Sequence, residues 1–317
     1  MKAKILKVQH LVISEHYIGQ RLDNFLFSYL KGVPKSKIYR ILRTGQIRVN
    51  KKRTKYKYKL IEGDTLRIPP LHILETKKIF LSPNRKEISI LEKAILFEDN
   101  HILILNKPSG IAVHGGSGLS FGVIEGLRLL RPNSHLELVH RLDRDTSGLL
   151  LLAQKRSALR SLHEQLRTKE VRKEYLALVQ GKWPPNCKIA TLPILKKYSN
   201  NQDNIVCIDI HGKASETHFS VEEYFNDATL LKVRPITGRT HQIRIHTSYL
   251  GHPIAFDNRY GLSNFDKKII KTGLNRMFLH AHFMKFKHPH SGQLLKFHAP
   301  LDKNLQNCLI NLRNQNS

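Results

Sequence analysis

The chain has 317 residues, with 53 Lys and Arg against 25 Asp and Glu and a net charge of +28. Its length and 40% hydrophobic content allow one large domain, or a medium domain with a small module, built on a real core. The charge points to a polyanionic partner, because solubility alone needs far less of it, and with no long apolar segment, lipidation motif or prominent amphipathic helix a membrane partner is set aside.

The N-terminal stretch from Met1 to Tyr17 carries basic residues but only a three-residue apolar patch, shorter than a signal peptide requires. Asn24 through Ile61 then hold twelve Lys or Arg and no acidic residue. Within this region Leu22, Phe25, Leu26, Tyr29 and Leu30 recur at helical spacing. Ile38, Ile41 and Leu42 form a second helical stripe, with Pro34 near its start and Gly45 at its stop. Ile47-Arg48-Val49 reads as a short strand and Asn50-Lys51 as a turn. Leu60 to Ile68 reads as strand, with Glu62-Gly63-Asp64 as a turn. Pro69-Pro70 ends this basic module. Residues 71–90 show no clean period and read as linker.

The remainder opens with Ala94 to Phe97 and Ile102 to Leu105 as extended segments around a turn at Glu98–His101. Asn106 to Gly110 is a tight turn, His114 to Gly118 (HGGSG) a Gly-rich loop, and Phe121 to Leu130 a helix. Gly148 to Ala153 reads as a buried strand. Ser157 to Thr168 is a helix with Leu159, Leu162 and Leu166 on one face. Further strands are expected at Tyr175–Val179, Ile205–Ile210, Thr217–Tyr224, Thr229–Val233 and Leu294–His298. Many strands at hairpin-like spacing, with few helices, predict an α+β fold: a mixed, largely antiparallel sheet flanked by helices.

The chemistry concentrates in Leu138–Ala153, LVHRLDRDTSGLLLLA. His140, Arg141, Asp143, Arg144, Asp145, Thr146 and Ser147 are set there against an apolar run. A carboxylate so close to a core needs a cationic partner. Perturbed carboxylates of this kind cluster at active sites. On this reading Asp143 and Asp145 are equally eligible. Arg172-Lys173-Glu174-Tyr175 leads a tyrosine into a strand. Thr237–His246, TGRTHQIRIH, would place Gln242, Arg244 and His246 on one face if extended, from where Arg244 can grip a buried carboxylate.

Rival motifs fall short. Asp145 to Gly148 spells the D-T-S-G of aspartic proteases, which need a second carboxylate, and no second copy occurs. HGGSG lacks the Lys-Ser/Thr of a phosphate-binding loop. Eighteen histidines include no HExxH or Cys/His knuckle, so no metal is expected. Cys187, Cys207 and Cys308 form no CxxC pair, which argues against a disulfide scaffold and for the reducing cytosol.

HRLDRDTSGLLLLA, together with NKPSGIAVHGG at Asn106–Gly116, KEYLALV at Lys173–Val179 and GRTHQIRIH at Gly238–His246, resembles the pseudouridine synthases. The motifs occur in the expected order, in the branch that includes the large-ribosomal-subunit enzymes. The basic N-terminal region resembles the S4-type RNA-binding module. The likeness implies an S4-type domain over residues 1–75, a linker over 76–90 and a catalytic domain with a central cleft over 91–317. The activity it implies is isomerisation of 23S ribosomal RNA uridines to pseudouridine, at more than one site, with no cofactor. The expected protein is cytoplasmic and, by default, a monomer.

The resemblance also assigns roles. Asp143, which follows Arg-Leu, is the nucleophile, with Arg244 paired to it and Tyr175 against the uracil. Arg141 fills the space a flipped base leaves, and His140 beside it is also a substrate-binding residue. Ile243 and Leu295 are apolar walls, though both read equally well as plain core. Lys35, Lys37, Arg40, Arg43, Arg48, Lys51, Lys52 and Arg53 would attract phosphates. The alternative is an RNA-binding ribosome assembly factor without catalysis. The intact set of Asp143, Tyr175 and Arg244 argues for the enzyme.

Overall fold

The computed structural model describes residues 3–30, 32–74, 85–115, 121–132, 134–197 and 205–316. The chain divides into two units, Met1–Ser82 and Pro83–Ser317.

The first unit runs β1 (Ala3–Leu6), β2 (Gln9–Val12), α1 (Leu22–Tyr29), α2 (Lys35–Arg43), β3 (Arg48–Val49), β4 (Lys52–Arg53), β5 (Thr65–Ile68) and β6 (Leu71–Leu74). Strands β2, β5, β3 and β4 make an antiparallel sheet in that order. The two helices pack Leu22, Phe25, Leu26, Ile38, Ile41 and Leu42 against Val49, Leu66 and Ile68. Tyr29, read as part of the apolar stripe, lies exposed at its edge and stacks on Phe25. In α2 the same amphipathic logic leaves Lys35, Arg40 and Arg43 in solvent. Asn50 and Lys51 both take positive φ, 50° and 65°, which is the two-residue hairpin turn that matches strand twist.

Two expectations change here. The strand read from Leu60 begins only at Thr65. The Asp64 carboxylate accepts the Ile61 N–H at 2.9 Å, Asn50 Nδ2 at 2.7 Å and the Tyr58 hydroxyl at 3.1 Å, which fastens the preceding residues as a turn. The segment read as linker holds β6 at one end and a helix, Arg85–Lys93, at the other. Strand β6 pairs antiparallel with β1, nearly the whole unit upstream. That partner is invisible to the local periodicity of residues 71–90.

The second unit continues with α3 (Arg85–Lys93), β7 (Ile95–Glu98), β8 (Ile102–Lys107), α4 (Val123–Leu130), β9 (Glu137–Leu138), β10 (Ser147–Ala153), α5 (Arg156–Arg167) and β11 (Arg172–Gln180). Then follow β12 (Ile189–Ala190), β13 (Ile194–Lys197), β14 (Ile205–Ile208), β15 (Thr217–Tyr224), β16 (Ala228–Pro235), α6 (Gln242–Tyr249), α7 (Ser263–Ile269), β17 (Leu279–Lys287), β18 (Leu294–His298) and α8 (Lys303–Asn316). A ten-stranded sheet orders β12-β15-β16-β11-β17-β10-β8-β7, with β18 beside β17 and β9 beside β10. Among the described residues only β10 and β17 pair in parallel, so the fold is α+β with a mixed, antiparallel-dominated sheet.

The central strands are buried on both faces, which explains their unbroken apolar runs. Along β11, Tyr175, Ala177 and Val179 enter the core that Leu162 of α5 and Leu127 of α4 cover. Leu176 and Leu178 enter a second core with Phe265, Leu305 and Leu309 from α7 and α8. The two-residue pleat thus sends Tyr175 to one chosen side of the sheet. Gly148 fixes the β10–β17 contact. Its φ is +104°, and a Cβ there would lie 2.3 Å from the Ala281 carbonyl oxygen. Among the described residues no helix is long and apolar enough to cross a membrane. Gly116–Gly118 of the Gly-rich loop lie outside the described residues.

Candidate active site

Asp143 sits in the loop between β9 and β10, and that loop is tied down mainly through its backbone. Lys107, at the end of β8, is fully buried. Its Nζ donates to the carbonyls of Pro108 and Ile111, both at 2.8 Å, and of Arg144 at 3.0 Å. Three acceptors match the three N–H groups of an ammonium. Burial pushes Lys107 down to about 7. The Ser109 hydroxyl donates to the Asp145 carbonyl at 2.7 Å, and the Gly110 N–H to that of Arg144 at 2.9 Å. The turn spelled N-K-P-S-G therefore serves as a clamp on the H-R-L-D-R-D loop.

The clamped carboxylate meets its cation. Arg244 Nη1 donates to Asp143 Oδ2 at 3.0 Å. The rest of the guanidinium is held by a residue the sequence reading gave no role, Asp257. Arg244 Nε and Nη2 donate to its two oxygens at 2.7 and 2.8 Å. Asp257 also accepts the N–H groups of Arg259 and Tyr260, at 2.9 and 3.1 Å. Burial alone would lower the Arg244 pKa, but the carboxylates of Asp257 and Asp143 raise it overall. Burial would raise that of Asp257, and Arg244 reverses it. The planar fork, locked on one side, offers its free edge to Asp143.

The local fold that delivers Arg244 differs from the expected one. Residues 242–249 form helix α6, not an extended segment. Six residues of alternation cannot separate the two periods. His241 takes the left-handed conformation, φ 54°, immediately before the helix. Gln242 braces the turn by accepting from the Thr237 hydroxyl at 2.7 Å and the Arg239 N–H at 3.0 Å. The helical turn separates residues placed on one face by the extended reading. His246 points to Ser215 and Leu192, while Arg244 points to Asp143. His241 Nε2 stands 3.8 Å from Asp143 Oδ2, and its Nδ1 lies 2.8 Å from the Tyr260 hydroxyl. Burial lowers the pKa of His241.

These groups line a cavity of about 120 Å³. That is roughly ten times what one ordered water needs, enough for a small planar ring. Leu142, Tyr175, Ile243 and Leu279 are among its walls, and Asp143 and Arg244 are among its polar lining. Burial, helped by the negative Asp143, raises the Tyr175 pKa, so this residue is a neutral phenol. Its ring is part of the cavity wall.

Two expected site residues stand elsewhere. Leu295 does not line the cavity; it lies on β18 opposite Phe286 of β17. That register is seven residues, roughly 23 Å, along the strand from Leu279. Leu279, at the start of β17, takes the wall position instead. His140 is also absent from the lining. Its Nε2 accepts the Leu151 N–H at 3.1 Å, and burial beside Lys173 pushes it down to about 3. This neutral ring is a strut from the loop to β10. Arg141 is exposed and lines the cavity, while Asp145 pairs with exposed Arg144 at 3.1 Å and lies outside it. Of the two aspartates, Asp143 is the one that lines the cavity and meets Arg244. In the first unit Lys35, Arg40, Arg43, Arg48, Lys51, Lys52 and Arg53 are exposed, and Lys37 is half-buried.

Comparison with known proteins places this architecture. A family model described as RNA pseudouridylate synthase matches residues 101–249, and one described as S4 domain matches residues 20–66. Ribosomal large subunit pseudouridine synthase C of Escherichia coli (strain K12) is 57% identical over 317 residues, covering 99% of each chain. The protein of that name from Yersinia pestis is 56% identical over 314 residues, covering 99% of this chain and 98% of its own. The chain belongs to the pseudouridine synthase family. Among solved structures, human RNA Pseudouridylate Synthase Domain Containing 1 is similar with a TM-score of 0.55 and 26% identity, covering 68% of this chain and 86% of its own. Human RNA Pseudouridylate Synthase Domain Containing 4 shares the fold with a TM-score of 0.60 at 24% identity, covering 72% of this chain and 96% of its own.

Proposed function

We propose that this protein isomerises uridines of large-subunit ribosomal RNA to pseudouridine, at more than one site, with Asp143 as the nucleophile. The observation that carries the reading is the pairing of buried Arg244 with half-buried Asp143 in the lining of a cavity also walled by Tyr175 and Leu279. The printed names of the relatives in Escherichia coli and Yersinia pestis support the substrate class.

The reaction conserves atoms: the N1–C1′ bond breaks, the base turns, a C5–C1′ bond forms, and the C5 proton is exchanged for one on N1. Asp143 acts at C1′ while Arg244 holds its carboxylate in place. Tyr175, Ile243 and Leu279 cover the ring and keep water from the detached base. The uridine reaches the cavity by leaving its stack, at a cost of a few kcal/mol that is least in loops and bulges. Arg141, at the rim, fills the vacated position. The basic first unit supplies sequence-independent attraction to phosphate.

Tritium release from [5-³H]uridine-labelled large-subunit rRNA tests this. Wild type is expected to release tritium, and Asp143→Asn to release none while binding the RNA as well. Release by the variant at the wild-type rate sinks the nucleophile assignment. A wild type that binds rRNA but never releases tritium leaves the non-catalytic assembly factor.

A further inference from the structure

Beside the Asp143 cavity lies a larger groove of about 730 Å³. Its lining includes six Lys and Arg, Arg141, Arg167, Lys169, Lys173, Arg234 and Arg239, and no carboxylate. Arg141, Lys173, Pro235, Thr237, Gly238 and Arg239 line both spaces, so the two are continuous. Lys173 stands in the shared wall, two residues before Tyr175 on β11. It is half-buried. The adjacent carboxylate, Glu174, is taken by Arg172. Among the described residues no ion pair engages Lys173. Burial lowers its pKa, with no carboxylate opposing. A cation partly withdrawn from water and left without a counterion gains when an anion comes to it.

We infer that Lys173 and the cationic groove it borders hold the phosphodiester backbone next to the uridine that enters the Asp143 cavity. The inference rests on the function proposed above. A compact ammonium is suited to a single phosphate oxygen, and the groove beyond it continues the positive path for the flanking strand. The strand R-K-E-Y thus divides its work: Tyr175 faces the base and Lys173 the backbone. Lys173 is a binding residue in this scheme, with no part in bond making.

The test uses the full chain and an rRNA fragment from which wild type releases tritium. Lys173→Gln is expected to raise KM and weaken direct binding about tenfold, the size of one lost charge-assisted hydrogen bond, with kcat within about twofold. Lys173→Arg recovers most of the loss. The slope of log affinity against log salt falls by about one. A neutral methylphosphonate at the linkage flanking the target uridine imposes the same penalty on wild type and none on Lys173→Gln. Where Lys173→Gln fails to fold, Lys169→Gln, at an exposed position, carries the test with a smaller shift. An unchanged KM and affinity overturns the inference. So does a methylphosphonate penalty equal in wild type and variant, or a fall in kcat alone. Failure of the function proposal looks different: tritium release is absent while the binding measurements still decide Lys173.

Discussion

The two units differ in the positive charge they bury. In the first, Arg40, Arg43, Arg48, Lys51 and Lys52 stand in solvent around an apolar core. In the second, Lys107 and Arg244 are buried, and each is saturated by chosen acceptors. Exposed cations interact weakly one by one, are screened by salt, and sum into affinity for a polyanion. Buried cations are few, unscreened and positional: losing one disturbs the backbone or carboxylate it holds. Fully buried cations thus hold structure and the carboxylate, while attraction falls to the more exposed cations of the first unit and of the groove beside the cavity. Mutations in the two units are expected to fail in different ways.

The largest effect is expected at Lys107. Lys107→Met takes the lysine donor from the Pro108, Ile111 and Arg144 carbonyls, of which, among the described residues, Arg144 alone keeps a second donor, the Gly110 N–H. At ~1–3 kcal/mol for each of the two unsatisfied groups, the loss of stability is on the order of 2 kcal/mol or more, read by urea denaturation. A loss under about 1 kcal/mol breaks the clamp argument. The pH dependence adds a signature. Burial pushes the Lys107 pKa from its ordinary 10.5 down to about 7. Between those values the unfolded chain binds a proton that the folded chain does not. This group's share of stability therefore rises as pH climbs from about 7 to about 10.5, and its full cost is present below about 7. The difference between wild type and Lys107→Met is expected to change across that window and be flat below it.

Asp257→Asn comes next. The amide cannot accept both guanidinium edges with the same charge, so Arg244 loosens while Asp143 keeps its place. A misplacement of about 1 Å costs about 10²-fold in rate. The expected outcome is a kcat about a hundred times lower, with KM little changed and the loss insensitive to salt. A salt-dependent KM defect instead would put Arg244 in the service of attraction and erase the contrast between the units.

What the sequence revealed follows the same division. Strands β10, β11, β15 and β18 were readable because their apolar runs or alternation are local. So was the α2 stripe, where exposed and buried positions repeat within one segment. The β1–β6 pairing and helix α3 were not readable, since no periodicity in residues 71–90 names a partner far away. At the site, Asp143 and Arg244 stand in motifs, and a carboxylate set against a core already calls for such a cation. The helical conformation of 242–249 was missed because alternating Ile243 and Ile245 mimics a strand. Asp257, in the stretch GHPIAFDNRYG, carried no signal beyond being a carboxylate among polar neighbours. Its role at the site comes from the two hydrogen bonds that Arg244 donates to it. Leu279 and Leu295 were indistinguishable as apolar strand residues. The β17–β18 register alone decides which one reaches the cavity.

The smallest effect is expected at the β3–β4 hairpin. Lys51 sits at positive φ in a two-residue turn, and Lys52 follows at the start of β4, so both side chains are presented without a packing role. Lys51→Gln with Lys52→Gln should leave the melting temperature unchanged, because surface substitutions of this kind fall within about 0.5 kcal/mol. The double variant should bind rRNA more weakly at low salt and converge with wild type at high salt. The salt slope should fall by roughly 0.7–0.9 for each phosphate contact removed. A slope identical to wild type would mean that the hairpin faces away from RNA and that helix α2, with Lys35, Arg40 and Arg43, carries the attraction. A lowered melting temperature would be the more damaging outcome. It would show that exposed cations of the first unit also hold structure, and the separation of attraction from architecture would not survive.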